Sequence, residues 1–387
     1  MGHGMKRSLG LMPVVAVSMG AMLGSGIFVL PGIAASIAGP SVPIAYLIAA
    51  ICVLPAALSK AELATAMPTS GGTYVYISRA FGPVSGTIAG LGLWLSLLFK
   101  SAFALVGLSA YLKVLAPHID MQFASIGILV GVTVLNVVGV RAVSRIQMFV
   151  VASALLFLLF LCGYGAGQVQ GERFDILMPH GPMGMFEAAA FVSVSFAGVT
   201  KVAAIAEEVR DPGRNLPLGM LVSLGMVGLI YVGVVFVLVG IVPLSELAND
   251  SKENAIPMVH LSKYILGATG GMIAAILGVL TMTSMANSGL LASSRFPFAM
   301  SRDELLPKVF QRIHPRLLTP YICILVTGSA MAFAILYLDV IGLAKLASAL
   351  KIFFFIVVNA AIMVFRKKKP DWYKPEFHAP FFPYVQI

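Results

Sequence analysis

The sequence predicts an all-α integral membrane protein made of two five-helix halves of opposite topology, with the first and sixth helices broken. Three observations predict it: the composition, a ladder of ten apolar runs, and a matching soft point in runs one and six. Of 387 residues, 59% are hydrophobic and 11% charged, and the mean hydropathy is +0.96. An average soluble domain has about 45–50% apolar and 25% charged residues. The lipid bilayer is therefore the expected surrounding. A net charge of +10 would suit nucleic acid if it were gathered on a folded soluble face. Here the basic residues gather in loops on one side of the ladder, so no nucleic-acid partner is expected. Cys52, Cys162 and Cys323 lie inside apolar runs, where they act as small hydrophobes, and neither a disulfide nor a metal site is expected.

At about 20 apolar residues per crossing, the spans fall at Leu9–Ala35, Pro43–Leu58, Val84–Leu112, Ser125–Val140 and Ile146–Gly167. The second half follows at Met185–Ala206, Pro217–Val242, Ile265–Met300, Tyr321–Leu338 and Ile341–Phe365. The first run is too long for a signal-peptide core and no cleavage pattern follows it, so it stays in the mature chain. Near its middle lies Gly24-Ser25-Gly26, where a helix is weakest. At membrane depth, unpaired backbone is tolerated only against protein, water or a ligand, so a break there implies a binding cavity. A half-helix starting near Ile27 offers N–H groups to a carboxylate, and one ending near Met22 offers carbonyls to an ammonium. The competing reading is that Gly24 and Gly26 only let two helices pack closely.

Lysines and arginines set the orientation. With the N-terminus cytoplasmic, the inside collects Lys6, Arg7, Lys60, Arg79, Arg141, Arg145, Arg210, Arg214, the arginines and lysine from Arg295 to Arg316, and the run Arg366–Lys374. The outside keeps Lys113, Arg173, Lys252 and Lys263. In the sixth span, Phe191 to Lys201 accumulates small and hydroxyl residues at mid-depth, again a softened helix. Interrupted segments at corresponding places in two halves point to an inverted repeat, about residues 9–167 and 185–365, with the site at its interface. The whole of 1–387 then reads as one membrane domain. Phe381–Ile387 reads as the opening of an eleventh span that is not completed.

Four stretches resemble the amino acid–polyamine–organocation superfamily. They are Gly24-Ser25-Gly26-Ile27-Phe28; Pro68-Thr69-Ser70-Gly71-Gly72-Thr73-Tyr74-Val75-Tyr76 in the loop after the second span; Ala206-Glu207-Glu208-Val209-Arg210-Asp211-Pro212-Gly213-Arg214-Asn215-Leu216-Pro217; and Ser293-Ser294-Arg295 with Ser301-Arg302-Asp303. The resemblance implies the leucine-transporter fold and transport of amino acids across the plasma membrane. It also implies further spans beyond these ten and, in relatives similar around Thr200-Lys201, a soluble regulatory domain after the membrane part.

Carried over by position, the resemblance places a substrate carboxylate on Ser25 and Gly26, beside Ile27. It places the ammonium on carbonyls near Met22, Val194 and Ala197, next to Gly198. Backbone groups suit this task because they read what all amino acids share. Phe196 is a candidate gate, although such an aromatic more commonly faces lipid or core. Glu62, Glu187, Glu207 and Glu208 fall near span ends; the intramembrane charges are Lys100, Lys201, Lys345 and Lys351. Lys201 and then Lys100 are the proton-coupling candidates, because an ionisable group at depth is costly and functional by default. Lys345 and Lys351 fit snorkelling better. Some proton-coupled relatives carry a lysine in the fifth span, but Ser153 or Ala154 stands near that position here. Coupling is therefore open between a proton on another lysine, sodium, and obligatory exchange. Ser153, Asn287 and Ser288 could supply oxygens to sodium, although such side chains more often bond their own helix.

No phosphate-binding glycine loop and no histidine, cysteine or carboxylate cluster at ligand spacing occurs, so no enzyme activity and no cofactor are expected. A secondary active transporter by alternating access is the leading expectation. An amino-acid-binding sensor or scaffold is the alternative, and a channel lacks a filter-like sequence.

Overall fold

The computed structural model describes residues 9–67, 72–138, 143–250, 255–317 and 319–386. Lys6, Arg7, Arg141 and Lys252 of the charge ladder, Pro68–Gly71 of the second motif, Val140 and Ile387 lie outside these residues. So do the side chains of Arg145, Glu207 and Glu208. Among the described residues, eight helical stretches are long and apolar enough to cross a membrane, and two further apolar helices, Leu11–Met22 and Tyr321–Tyr337, are shorter.

The first expected crossing is split into α1 (Leu11–Met22), α2 (Ser25–Phe28) and α3 (Leu30–Ala38). A 3-10 turn at Gly39–Ser41 leads into α4 (Val42–Ala66), and α5 (Thr73–Phe81) follows. Helix α5 occupies what reads in sequence as loop. Tyr74, Ile77 and Ala80 recur there at helical spacing and are buried, while Arg79 is exposed, which is the pattern of a helix lying on an apolar surface. The chain continues through α6 (Pro83–Leu115), α7 (Met121–Val138), α8 (Val143–Gly165) and α9 (Gly181–Val192). The 3-10 segment Ser193–Glu208 precedes α10 (Pro212–Ile241), α11 (Leu244–Asp250) and α12 (Pro257–Arg302); α13 (Tyr321–Tyr337) and α14 (Val340–Lys368) close the bundle. Helix α12 absorbs the eighth expected span and bends at Gly267, where φ is 69°.

Proline places several of these starts. Pro83, Pro212 and Pro257 open their helices, where a missing N–H costs nothing and the fixed φ is already helical. Helix α6 packs most extensively on α12, α10 lies along α4, and α1 sits between α10 and the 3-10 segment. The start of α1 is tied to the end of that segment by a parallel bridge between Leu9 and Val209 and by the Arg210 amide donating to the Leu9 carbonyl at 2.8 Å. Outward faces carry Ile51, Ile88, Phe123, Phe149, Leu229 and Ile356, all exposed, as lipid contact requires.

One end of the bundle is held by a carboxylate. Glu62 of α4 is completely buried. It accepts from Arg366 Nε at 2.8 Å and Nη2 at 2.5 Å, from the Tyr373 hydroxyl at 2.7 Å and from the Ala379 amide at 2.6 Å. Residues 380–386 form turns, and Phe377, Phe382 and Val385 pack on Leu58 and Ile362. Burial, reinforced by the bond to Glu62, pushes the Tyr373 hydroxyl well above its ordinary value, so it stays a donor. Removing one partner of a buried pair leaves the other uncompensated. Glu62→Ala is therefore expected to cost about 3–5 kcal/mol, read as a lowered thermal-unfolding temperature in detergent; an unchanged midpoint would rule out this hub as a stabilising contact.

Candidate functional site

The break in the first crossing is local and has a local cause. Leu23 is extended (ψ 132°) and Gly24 adopts φ 149°, ψ −136°, a conformation that only glycine takes readily. A Cβ on Gly24 would also collide with the Met285 sulfur. The chain is interrupted at Leu23–Gly24 and again at Val29, and side chains meet the carbonyls of three residues beside these points. The Met22 carbonyl accepts from the Tyr231 hydroxyl at 2.9 Å. That of Gly26 accepts from Tyr46 at 2.7 Å and from the Ser195 hydroxyl at 3.2 Å, and that of Phe28 accepts from Tyr111. The amides of Ser25 and Gly26 find no acceptor among the described residues. The Ser25 hydroxyl points to the Met285 sulfur at 3.5 Å.

The softened part of the sixth span takes a different form from the gap that its small residues suggest. Helix α9 passes at Ser193 into sixteen residues of 3-10 helix, far longer than the three or four residues usual for that winding. The correction is one of degree: the chain is rewound more tightly rather than opened. Close approach to α1 accounts for the small residues. A Cβ on Gly198 would run into the backbone of Ala21 and Met22, and one on Gly26 would meet Ser195 Cβ at 2.8 Å. Phe196 is fully buried and makes an aromatic trio with Tyr46 and Tyr231, with centroids 5.6–6.3 Å apart. Its place is in the core beside the break. Val194, Ala197 and Ile27 are buried in the same region.

The lysines divide in an unexpected way. Lys100, on α6, is 4% exposed, and its ammonium donates to the Val194 carbonyl at 2.9 Å. Lys351 does not snorkel. It is 6% exposed, donates to the Thr200 hydroxyl at 3.3 Å and lies over the Phe355 ring at 5.0 Å. The stem of α14 is covered there by the 3-10 segment and α6, so the side chain has no short route to an interface. Lys345, one and a half turns earlier, is exposed and pairs with Glu187 at 3.7 Å, as its placement near the helix start allows. Lys201 is half-buried. An isolated charge at the centre of a membrane helix costs about 2.5–3.5 kcal/mol, so the bond from Lys100 to a backbone carbonyl offsets a real expense.

The proposed sodium oxygens are engaged in helix packing. The Asn287 side-chain oxygen accepts from Asn136 at 2.7 Å. The Ser288 hydroxyl donates to the Ser284 carbonyl at 2.9 Å and accepts from Gln147 at 3.1 Å. Ser153 lies half-buried on α8. Two cavities lie away from the break. One of about 520 Å³ is lined by Pro40, Glu172, Arg173 and Leu244, among others; one of about 490 Å³ is lined by Arg79 and Trp372. Around the break itself Met22, Ser25, Ile27 and Phe196 are packed shut. Sequence reasoning missed Tyr46, Tyr111 and Tyr231. The available signal was three tyrosines inside apolar runs, since a buried phenol needs a partner.

An arrangement of two free amides, carbonyls held by removable donors and one resident ammonium can bind a carboxylate and an ammonium together without any catalytic group. Residues 9–387 match the amino acid permease family. Among curated relatives, the branched-chain amino acid permease BcaP of Bacillus subtilis is 31% identical, over 95% of this chain and 82% of that protein. The methylthioribose transporter of the same organism is 29% identical, over 98% and 86%. The vacuolar cationic amino acid transporter 2 of Arabidopsis thaliana is 29% identical, over 96% of this chain and 61% of its own length.

The close approach of the 3-10 segment to α1 can be tested at one atom. Gly198→Ala is expected to lose about 1–3 kcal/mol, because the obstacle is backbone and cannot swing aside. Gly127→Ala on α7, where a Cβ meets nothing within 4 Å, is expected to be neutral or to gain up to about 1 kcal/mol. Thermal unfolding of the two variants side by side would refute the contact if they shifted equally.

Proposed function

Since the chain belongs to the amino acid permease family, and is therefore a multi-pass membrane transporter rather than an enzyme, we propose that it is a secondary active transporter of amino acids in the plasma membrane. It works by alternating access about the break at Leu23–Gly24. The observation that carries this reading is the pair of amides at Ser25 and Gly26 that find no acceptor among the described residues, beside the Met22 and Gly26 carbonyls that tyrosine hydroxyls hold. The substrate carboxylate binds Ser25 and Gly26 beside Ile27, and its ammonium takes the carbonyls of Met22, Val194 and Ala197 near Gly198, with Phe196 closing one wall. Recognition through backbone leaves selectivity to the pocket walls. Those nearest the break are mostly apolar: Met22, Ile27, Val194, Phe196 and Val199. This supports a substrate with an uncharged side chain, the class that the branched-chain relative's name describes.

The fold follows the family's leucine-transporter plan, with inverted halves at about 9–167 and 185–365 and a cytoplasmic N-terminus. The bundle containing the first and sixth spans rocks against the third, fourth, eighth and ninth. Lys100 and Lys201 are the proposed proton-coupling groups. The engagement of Asn287 and Ser288 in helix packing weighs against a sodium site built from them and Ser153.

Uptake of labelled amino acids into proteoliposomes tests transport. Accumulation in response to an imposed proton gradient is expected, whereas binding without accumulation would make the protein a sensor. Gly26→Leu must displace Ser195 and is expected to abolish uptake; uptake at the wild-type rate would refute the site.

A further inference from the structure

The Lys100 ammonium is a primary alkylammonium seated on the rewound segment, and so is the amino group of an amino acid. Lys100 reaches Val194 from mid-helix on α6, is 4% exposed, and donates at 2.9 Å. The other donors around the break are uncharged: the hydroxyls of Tyr231 on Met22, of Tyr46 and Ser195 on Gly26, and of Thr200 on Ala197 at 3.1 Å. Among the described residues, Lys100 is thus the charged donor at the place where a substrate ammonium would bind. A second ammonium entering beside Lys100 while it holds Val194 would be opposed by it, whereas one that takes over the Val194 carbonyl as the Lys100 side chain withdraws keeps that carbonyl on a charged donor.

We propose that Lys100 is the built-in stand-in for the substrate's amino group. It holds the Val194 carbonyl when no amino acid is present and yields it when the substrate ammonium arrives. The site then always holds one ammonium on Val194, supplied by the protein or by the ligand. This rests on the transporter reading above and adds to it a consequence for specificity. A carboxylic acid that lacks the amino group can also bind, because Lys100 stays in place and balances its charge. Without Lys100, such an acid would lose the ammonium seated at Val194 that balances it, and burying a charge without its partner is strongly disfavoured.

The test is a thermal-shift screen of the purified full chain against each of the twenty L-amino acids and the desamino carboxylic acid carrying the same side chain. The wild type is expected to be stabilised by at least one amino acid and by its desamino counterpart. Lys100→Met is expected to retain the amino acid and to bind the desamino acid at least tenfold more weakly. Lys100→Arg, which keeps the charge, is expected to retain both. Lys100→Gln, which keeps a donor without the charge, should behave like Lys100→Met and carries the comparison should that variant not fold. Loss of both ligands in folded Lys100→Met or Lys100→Gln, or retention of both at wild-type strength, would overturn the stand-in role while leaving transport intact. Failure of every amino acid to stabilise the wild type would instead overturn the transporter reading, and this inference with it.

Discussion

A helix broken in the middle of a membrane bundle must find partners for every backbone group that it frees, and most of what is specific in this structure follows from that requirement. Hydrocarbon offers no hydrogen bonds, and an unsatisfied peptide group there costs several kcal/mol, of the order found for transfer to an apolar liquid. The interruptions at Gly24 and Val29 release the carbonyls of Met22, Gly26 and Phe28 among others, and three tyrosines from three different helices meet these: Tyr231 of α10, Tyr46 of α4 and Tyr111 of α6. Each pairing solves two problems, because a buried phenol also needs an acceptor. The break therefore organises its surroundings, fixing where α4, α6 and α10 must stand relative to α1 and α2.

Much of this plan was legible in the chain, and what was not legible has a physical reason. Gly24 and Gly26 are visible because a glycine pair in an apolar run has few structural purposes, and the structure shows both: φ 149° at Gly24 and a close approach to Ser195 at Gly26. The crowd of small residues from Ser193 to Gly198 indicated a weakened helix, but residue size alone does not distinguish a gap from a tighter winding. Here the need for Gly198 to lie against the Ala21 backbone decided the matter. The tyrosines and the inward turn of Lys351 stayed hidden for another reason. Which way a long side chain points depends on what covers its helix face, and that is a property of packing between spans that can be 20 or 209 residues apart in the chain. Glu62 shows the same limit. Its position near a span end gave no partner, yet the segment after α14 folds over it and turns it into the acceptor for four donors.

The two polar centres of the bundle differ in kind. At the end of α4 the contact is ionic, between Glu62 and Arg366, and Arg366 retains some exposure. At the centre the donors are mostly neutral hydroxyls. Desolvating a pair of ions costs more the deeper it lies and is repaid only by very good geometry, whereas a hydroxyl on a carbonyl is cheap to bury once both are satisfied. A rigid tie suits the end of the bundle. A neutral contact can be remade without stranding a charge, and Lys100 on Val194 is the exception at the centre.

This difference bears on how a closed site can still exchange its occupant. Had the freed carbonyls been left bare, the unliganded state would carry their full desolvation penalty and binding would be tight and slow to reverse. Where a carbonyl is already bonded, as those of Met22, Gly26 and Phe28 are, a ligand replaces one hydrogen bond by another, and the net gain per bond is small, about 0.5–1.5 kcal/mol at most. In the proposed site, binding energy would then come from what the closed state lacks, namely acceptors for the Ser25 and Gly26 amides, together with apolar contact along Phe196 and its neighbours. Such a balance keeps occupied and unoccupied forms close in free energy. A carrier needs that closeness, because a substrate held too firmly on one side of the membrane is never released on the other.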